Sequence, residues 1–238
     1  MFPRLLGGLR AASALRPSLP KARPALLHLA TRPTIPKAPP GLFARLCSGA
    51  AQVETSYSSA VQGMHWIYAG GFMTVMGTVY ASQQTTGPTF LGTKGQTKGT
   101  LMLIHKSTAV ILAALVVPRI ALRALSKAPT ALPGSMPEHL AANLSHAAFY
   151  GFMVFMPATG IAMGYYGGKG VPFFGVYTFP GKADKTKEDG AFAGSMFKWH
   201  KWAGSYLWYL PPVHVAAALQ HYFRGHAIFS RIVPGLAK

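Results

Sequence analysis

Acidic residues are nearly missing from this chain: five Asp and Glu stand against 23 Lys and Arg in 238 residues, and none precedes Glu54. Without carboxylates in the apolar segments, a mixed zinc site or a di-iron centre lacks the ligands it needs. A transporter or channel likewise lacks a buried acid to serve as its ion site. Cysteine is reduced to Cys47, which rules out a disulfide framework and a Cys-based metal site. Charge of either sign is sparse, at 12% of residues, where soluble domains carry about a quarter. Half of the residues are apolar and the mean hydropathy is +0.25, which points to lipid as the solvent. No internal repeat and no strand-like alternation is visible.

What charge there is lies unevenly. The net charge of +18 invites a nucleic-acid partner, but eight of the basic residues fall before Glu54: Arg4, Arg10, Arg16, Lys21, Arg23, Arg32, Lys37 and Arg45. No basic face of a folded module remains, so nucleic acid is excluded as a partner. Residues 1–50 are rich in Arg, Ala, Leu, Ser and Pro, the composition of a mitochondrial transit peptide. Arg45-Leu46-Cys47-Ser48 resembles a matrix-processing site. A basic, Pro-rich arm that stays attached and a plastid leader are the alternatives. The expectation is a leader at 1–50 and a multi-pass domain at 51–238, in the mitochondrial inner membrane.

Four apolar segments follow, at about 64–82, 100–118, 139–166 and 201–223, each near the roughly 20 residues that a spanning helix needs. The expected fold is all-α, a transmembrane four-helix bundle. Gly70, Gly71 and Gly77 allow close approach of a helix or cofactor to the first span, and Pro157 is expected to bend the third. Residues 83–99, 124–137 and 167–199 read as loops. Basic residues divide too evenly between the two sides for the positive-inside rule to set an orientation.

Nine histidines are many for so apolar a chain, and an ionisable residue in a membrane helix is a functional candidate by default. Their positions sort into two levels. His65 opens the first span on the N-terminal side, and His105 lies near the start of the second, which enters from the opposite side. His200 and His214 both belong to the fourth. Their 14-residue spacing places them on one helix face, about 21 Å apart. His65 therefore matches His214 in level, and His105 matches His200. Two imidazoles from separate helices at each of two levels is what two stacked bis-histidine haems require. Three of the four positions also have a plainer reading, His214 being the hardest to dismiss. His65-Trp66 suits an aromatic belt, His105-Lys106 a solvated helix start, and Lys198-Trp199-His200-Lys201-Trp202 a snorkelling entrance. His146 and His221 share the His214 side and read as propionate or quinone contacts, structural hydrogen-bonders, or alternative ligands. His28, His139 and His226 read as surface residues.

From about Met64 to Gly235 the chain resembles the bacterial-type, four-helix cytochrome b561 family, related to the cytochrome b subunits of nickel hydrogenases and formate dehydrogenases. The likeness rests on four ordered segments: His65-Trp66; His105-Lys106-Ser107; Leu144-Ser145-His146-Ala147-Ala148-Phe149-Tyr150 followed by Pro157-Ala158-Thr159-Gly160; and Trp199-His200 leading to His214 through Phe223, then Pro234-Gly235. The resemblance implies two b-type haems with axial ligands His65 with His214 and His105 with His200. It also implies electron exchange between the ubiquinone pool and a one-electron partner, superoxide being one candidate. The family often carries an arginine a few residues before the first histidine, where this chain has Gln62-Gly63-Met64. Pro211-Pro212 in the fourth span is a second departure. The competing expectation is an accessory membrane subunit of a respiratory complex or supercomplex, haem-bearing but mainly structural.

Overall fold

A computed structural model describes residues 55–236, so the leader expected at 1–50 lies outside the described residues. The described chain is predominantly helical. Helix α1 spans Ser59–Gln84, α2 Lys94–Leu125, α3 Met136–Tyr166, α4 Lys187–Leu207, α5 Leu210–Phe223, and a short α6 Ile228–Ile232. Helix α1 packs chiefly on α2 and α3 on α4, and α2 also lies against α3.

The helices start where local chemistry supplies partners for free backbone N–H groups. At α2 the Gln96 side chain accepts from Thr93 N at 2.8 Å while the Thr93 hydroxyl accepts from Gln96 N, a reciprocal cap. At α3 the Glu138 carboxylate accepts from Ser135 N at 2.8 Å. At α4 the Asp189 carboxylate accepts from Thr186 N at 2.9 Å and takes a 2.6 Å ion pair from Lys182. These caps begin the helices outside the apolar segments, so α2 and α3 reach 32 and 31 residues. Both run on through a proline, Pro118 and Pro157 respectively.

Two helices, α2 and α3, are long and apolar enough to cross a membrane, and little of either apolar stretch is buried within the protein. That exposure separates them from core helices of a soluble fold, which would be covered. Only seven apolar side chains are buried among the described residues, while large ones such as Val117, Leu144, Val154 and Val215 face outward. An apolar outer surface of this kind needs lipid to cover it.

Three details differ from the sequence reading. The stretch expected as a loop over 167–199 contains an antiparallel hairpin, β1 Val171–Phe173 and β2 Tyr177–Phe179, paired Val171 to Phe179 and Phe173 to Tyr177. Three-residue strands are too short to show a period of two, so the fold is helical with one small sheet rather than purely all-α. The same stretch also holds the first turns of α4, which start at the Thr186 cap, well before the apolar segment. Finally, the fourth segment is two helices. Pro211 and Pro212 have no N–H to return to the carbonyls of Leu207 and Trp208, and the helix breaks at Trp208-Tyr209. Both break residues keep right-handed backbone angles, with φ −59° and −84°. The phase of the helix thus carries across the break.

The last described turns return to α1. Arg231 O accepts from Tyr57 N at 3.0 Å and from Gln62 Nε2 at 3.1 Å, and Ile232 O accepts from Trp66 Nε1 at 3.0 Å. Gln62 is buried and occupied with this contact.

Candidate functional site: two histidine pairs at two levels

On one level α1 and α5 bring His65 and His214 to 6.3 Å between ring centroids, with planes 40° apart. On the other, α2 and α4 bring His105 and His200 to the same 6.3 Å, with planes 81° apart. A single metal ion held between two opposed imidazoles would separate their centroids by about 6.4–6.6 Å, taking about 2.0–2.1 Å for each metal–nitrogen bond and roughly 1.2 Å from nitrogen to ring centre. Both pairs have the spacing of such a clamp, and neither has a carboxylate beside it. The donor set fits haem iron.

The two levels differ in how their rings are oriented. His105 Nδ1 lies 2.9 Å from Val75 O, which can only accept, so Nδ1 carries the proton and Nε2 keeps its lone pair. His200 Nδ1 lies 2.9 Å from Thr159 Oγ1. The Thr159 hydroxyl gives its own proton to Phe155 O at 2.8 Å, so it accepts from His200 and fixes the same tautomer there. Partners of this kind fix ring orientation and raise ligand basicity. Gly160 follows Thr159, and a Cβ there would already meet His200 Cε1 at 3.5 Å. Among the described residues, no such acceptor serves His65 or His214.

The first level is more crowded. His146 of α3 stands 5.7 Å from the His214 ring and Phe149 stands 5.3 Å from it. Arg119 of α2 lies with its guanidinium 4.9 Å over the Tyr68 ring, one turn along α1 from His65. Arg119 Nε is buried with no hydrogen-bond partner among the described residues. His221 is not part of this cluster. Its Nδ1 meets His226 Nδ1 at 3.0 Å across the turn at Gly225, so His226 is its partner rather than a free surface residue.

Three further residues contribute to the site. Thr159 and Ser107 stood inside the quoted motifs without a role. Ser107 is fully buried, donates to Leu103 O at 2.7 Å and accepts from Phe174 N at 2.7 Å, pinning the hairpin to α2 beside His105. Phe174 has φ +48°, unusual for an aromatic residue, and that anchored N–H helps to hold it. Arg119 had a usable signal: it follows His105 by 14 residues, the spacing that relates His200 to His214. Of the three glycines noted in α1, Gly71 faces Leu112 so closely that a Cβ would clash at 2.7 Å, whereas Gly70 and Gly77 have open space.

Comparison with known proteins places the chain in a family. Residues 56–235 match the family described as prokaryotic cytochrome b561. The protein of Escherichia coli (strain K12) named cytochrome b561 homolog 2 is 29% identical over 121 residues, covering 50% of this chain and 63% of that relative. The aligned region thus spans less than two thirds of the relative's length.

Proposed function

Because the chain belongs to the prokaryotic cytochrome b561 family, whose members are membrane b-type cytochromes of electron transfer, we propose that it holds two b-type haems, one between His65 and His214 and one between His105 and His200. The four apolar segments then cross the bilayer as α1, α2, α3 and the broken α4–α5. The single observation that carries this reading is the identical 6.3 Å spacing of the two pairs. When bound, haem supplies a one-electron carrier at each level. The protein's part is to present neutral imidazole nitrogens, orient them through Val75 and Thr159, and surround the groups with apolar side chains.

We further propose that the electrons pass between ubiquinone and a one-electron partner, superoxide being one candidate, in the mitochondrial inner membrane. The acid-free, Arg-rich composition of residues 1–53 supports that location. The test is the dithionite-reduced spectrum and haem content of the purified protein. Two b haems per chain are expected, falling to one in His105→Ala and in His214→Ala. Absence of haem from the wild-type protein would overturn the reading. Ubiquinol added to the protein in vesicles should reduce it. Full haem content with no reduction by ubiquinol would instead favour an accessory structural subunit of a respiratory complex.

A further inference from the structure

The two histidine pairs sit among different neighbours. Helix α2 carries His105 at one level and Arg119 fourteen residues on, within one unbroken helix. That spacing returns nearly to the same face, about 21 Å further along. Since His105 faces His200, Arg119 projects to the same side at the level of His65 and His214. Its seat over the Tyr68 ring agrees with that, and the Tyr68 hydroxyl is itself fixed by donating to Leu112 O. Among the described residues no carboxylate side chain pairs with Arg119: the ion pairs are Glu138 with Arg224 and Asp189 with Lys182. A cation in apolar surroundings favours the more electron-rich state of a neighbouring redox centre.

The hydrogen bonds at the other level act in the reverse sense. Val75 O and Thr159 Oγ1 each accept a hydrogen bond from the Nδ1–H of one imidazole, which pushes electron density toward the opposite nitrogen and favours oxidised iron. Lys106 follows His105 directly and its charge reaches that ring, working against the hydrogen bonds.

We propose that Arg119 and Thr159 are opposed tuning residues: Arg119 sets a higher reduction potential at the His65/His214 site, and Thr159 a lower one at the His105/His200 site. At equilibrium the first electron added to the protein therefore resides on the N-terminal side. The proposal rests on the two-haem reading above.

Redox titration of the full chain in detergent or nanodiscs, with haem content measured on the same samples, tests it. The wild type should resolve into two one-electron components. Arg119→Gln should lower the upper component alone, and Thr159→Val should raise the lower component alone, so that the gap narrows from both ends. A tenfold change in the oxidised-to-reduced ratio at fixed potential is the expected size, equivalent to about 59 mV. Arg119→Lys and Thr159→Ser, which keep the charge and the hydroxyl, should stay near wild type. A protein without haem sinks the parent reading. Two haems with a single unresolved component, or with either variant moving the other component or none, sink this inference alone. Should Arg119→Gln fail to fold, Thr159→Val still decides, since it must shift only the lower component.

Discussion

The rings of His105 and His200 meet nearly at right angles, 81° apart, whereas those of His65 and His214 are 40° apart at the same 6.3 Å separation. The angle between two axial imidazole planes governs how far the d orbitals of a low-spin ferric iron are split, and near-perpendicular planes split them least. Electron paramagnetic resonance of the oxidised protein should therefore show two distinct low-spin signals. The more anisotropic one should vanish in His200→Ala. A single signal shape for both sites would contradict the geometry.

His146 competes with His65 for the same partner, at 5.7 Å from His214 against 6.3 Å. The spacing of an iron clamp favours His65, because 5.7 Å leaves too little room for two metal–nitrogen bonds of about 2.0 Å each along one axis. His146→Ala is expected to keep two haems per chain and His65→Ala one. Pyridine haemochrome assay of the two variants decides, and the reverse outcome would reassign the ligand.

Ser107 links the hairpin to α2 through a hydroxyl with no exposure to solvent. In Ser107→Ala the Phe174 N–H loses its acceptor while Phe174 still holds a positive φ, and a buried donor left unmade costs about 1–3 kcal/mol. Thermal unfolding should shift down accordingly. Amide exchange at Phe174 should accelerate more than exchange in α3, and unchanged protection at Phe174 would show that the hairpin is held by other contacts.

Glu138 answers to pH outside the membrane segments. The Ser135 N–H, followed by the Arg224 guanidinium 2.6 Å away, holds its carboxyl down to about 2 from an ordinary value of 4.5. A depressed folded-state value means that the carboxylate stabilises the fold fully above pH 4.5 and loses that contribution as pH falls toward 2. The wild type should therefore be more stable than Glu138→Gln at pH 6 and indistinguishable from it near pH 2, by unfolding midpoints across that range. A difference that persists undiminished at pH 2 would show that the ion pair is not its source.

Much of this arrangement was legible because helical spacing survives interruption. The 14 residues from His200 to His214 matched levels correctly even though Pro211 and Pro212 divide the helix, since the break preserves right-handed geometry. The same rule applied to His105 and Arg119 would have put a cation beside His65, but an arginine after Pro118 reads most simply as the end of a span. The hairpin left no periodic trace, since each strand contributes only three residues. The early start of α4 is set by Thr186 and Asp189, polar residues that resemble any loop until their caps are seen. Thr159 had no distinguishing pattern at all, because its partner is 41 residues away.

The docking of α6 beneath the start of α1 brings the last described turns of the polypeptide under the first of the described helices. The His105/His200 side needs nothing beyond α4, while the opposite side waits for α5 and for the closing turns that grip Gln62 and Trp66. Synthesis from the amino end should therefore complete one histidine pair ahead of the other. Shortening the protein from its carboxyl end should cripple the later site first.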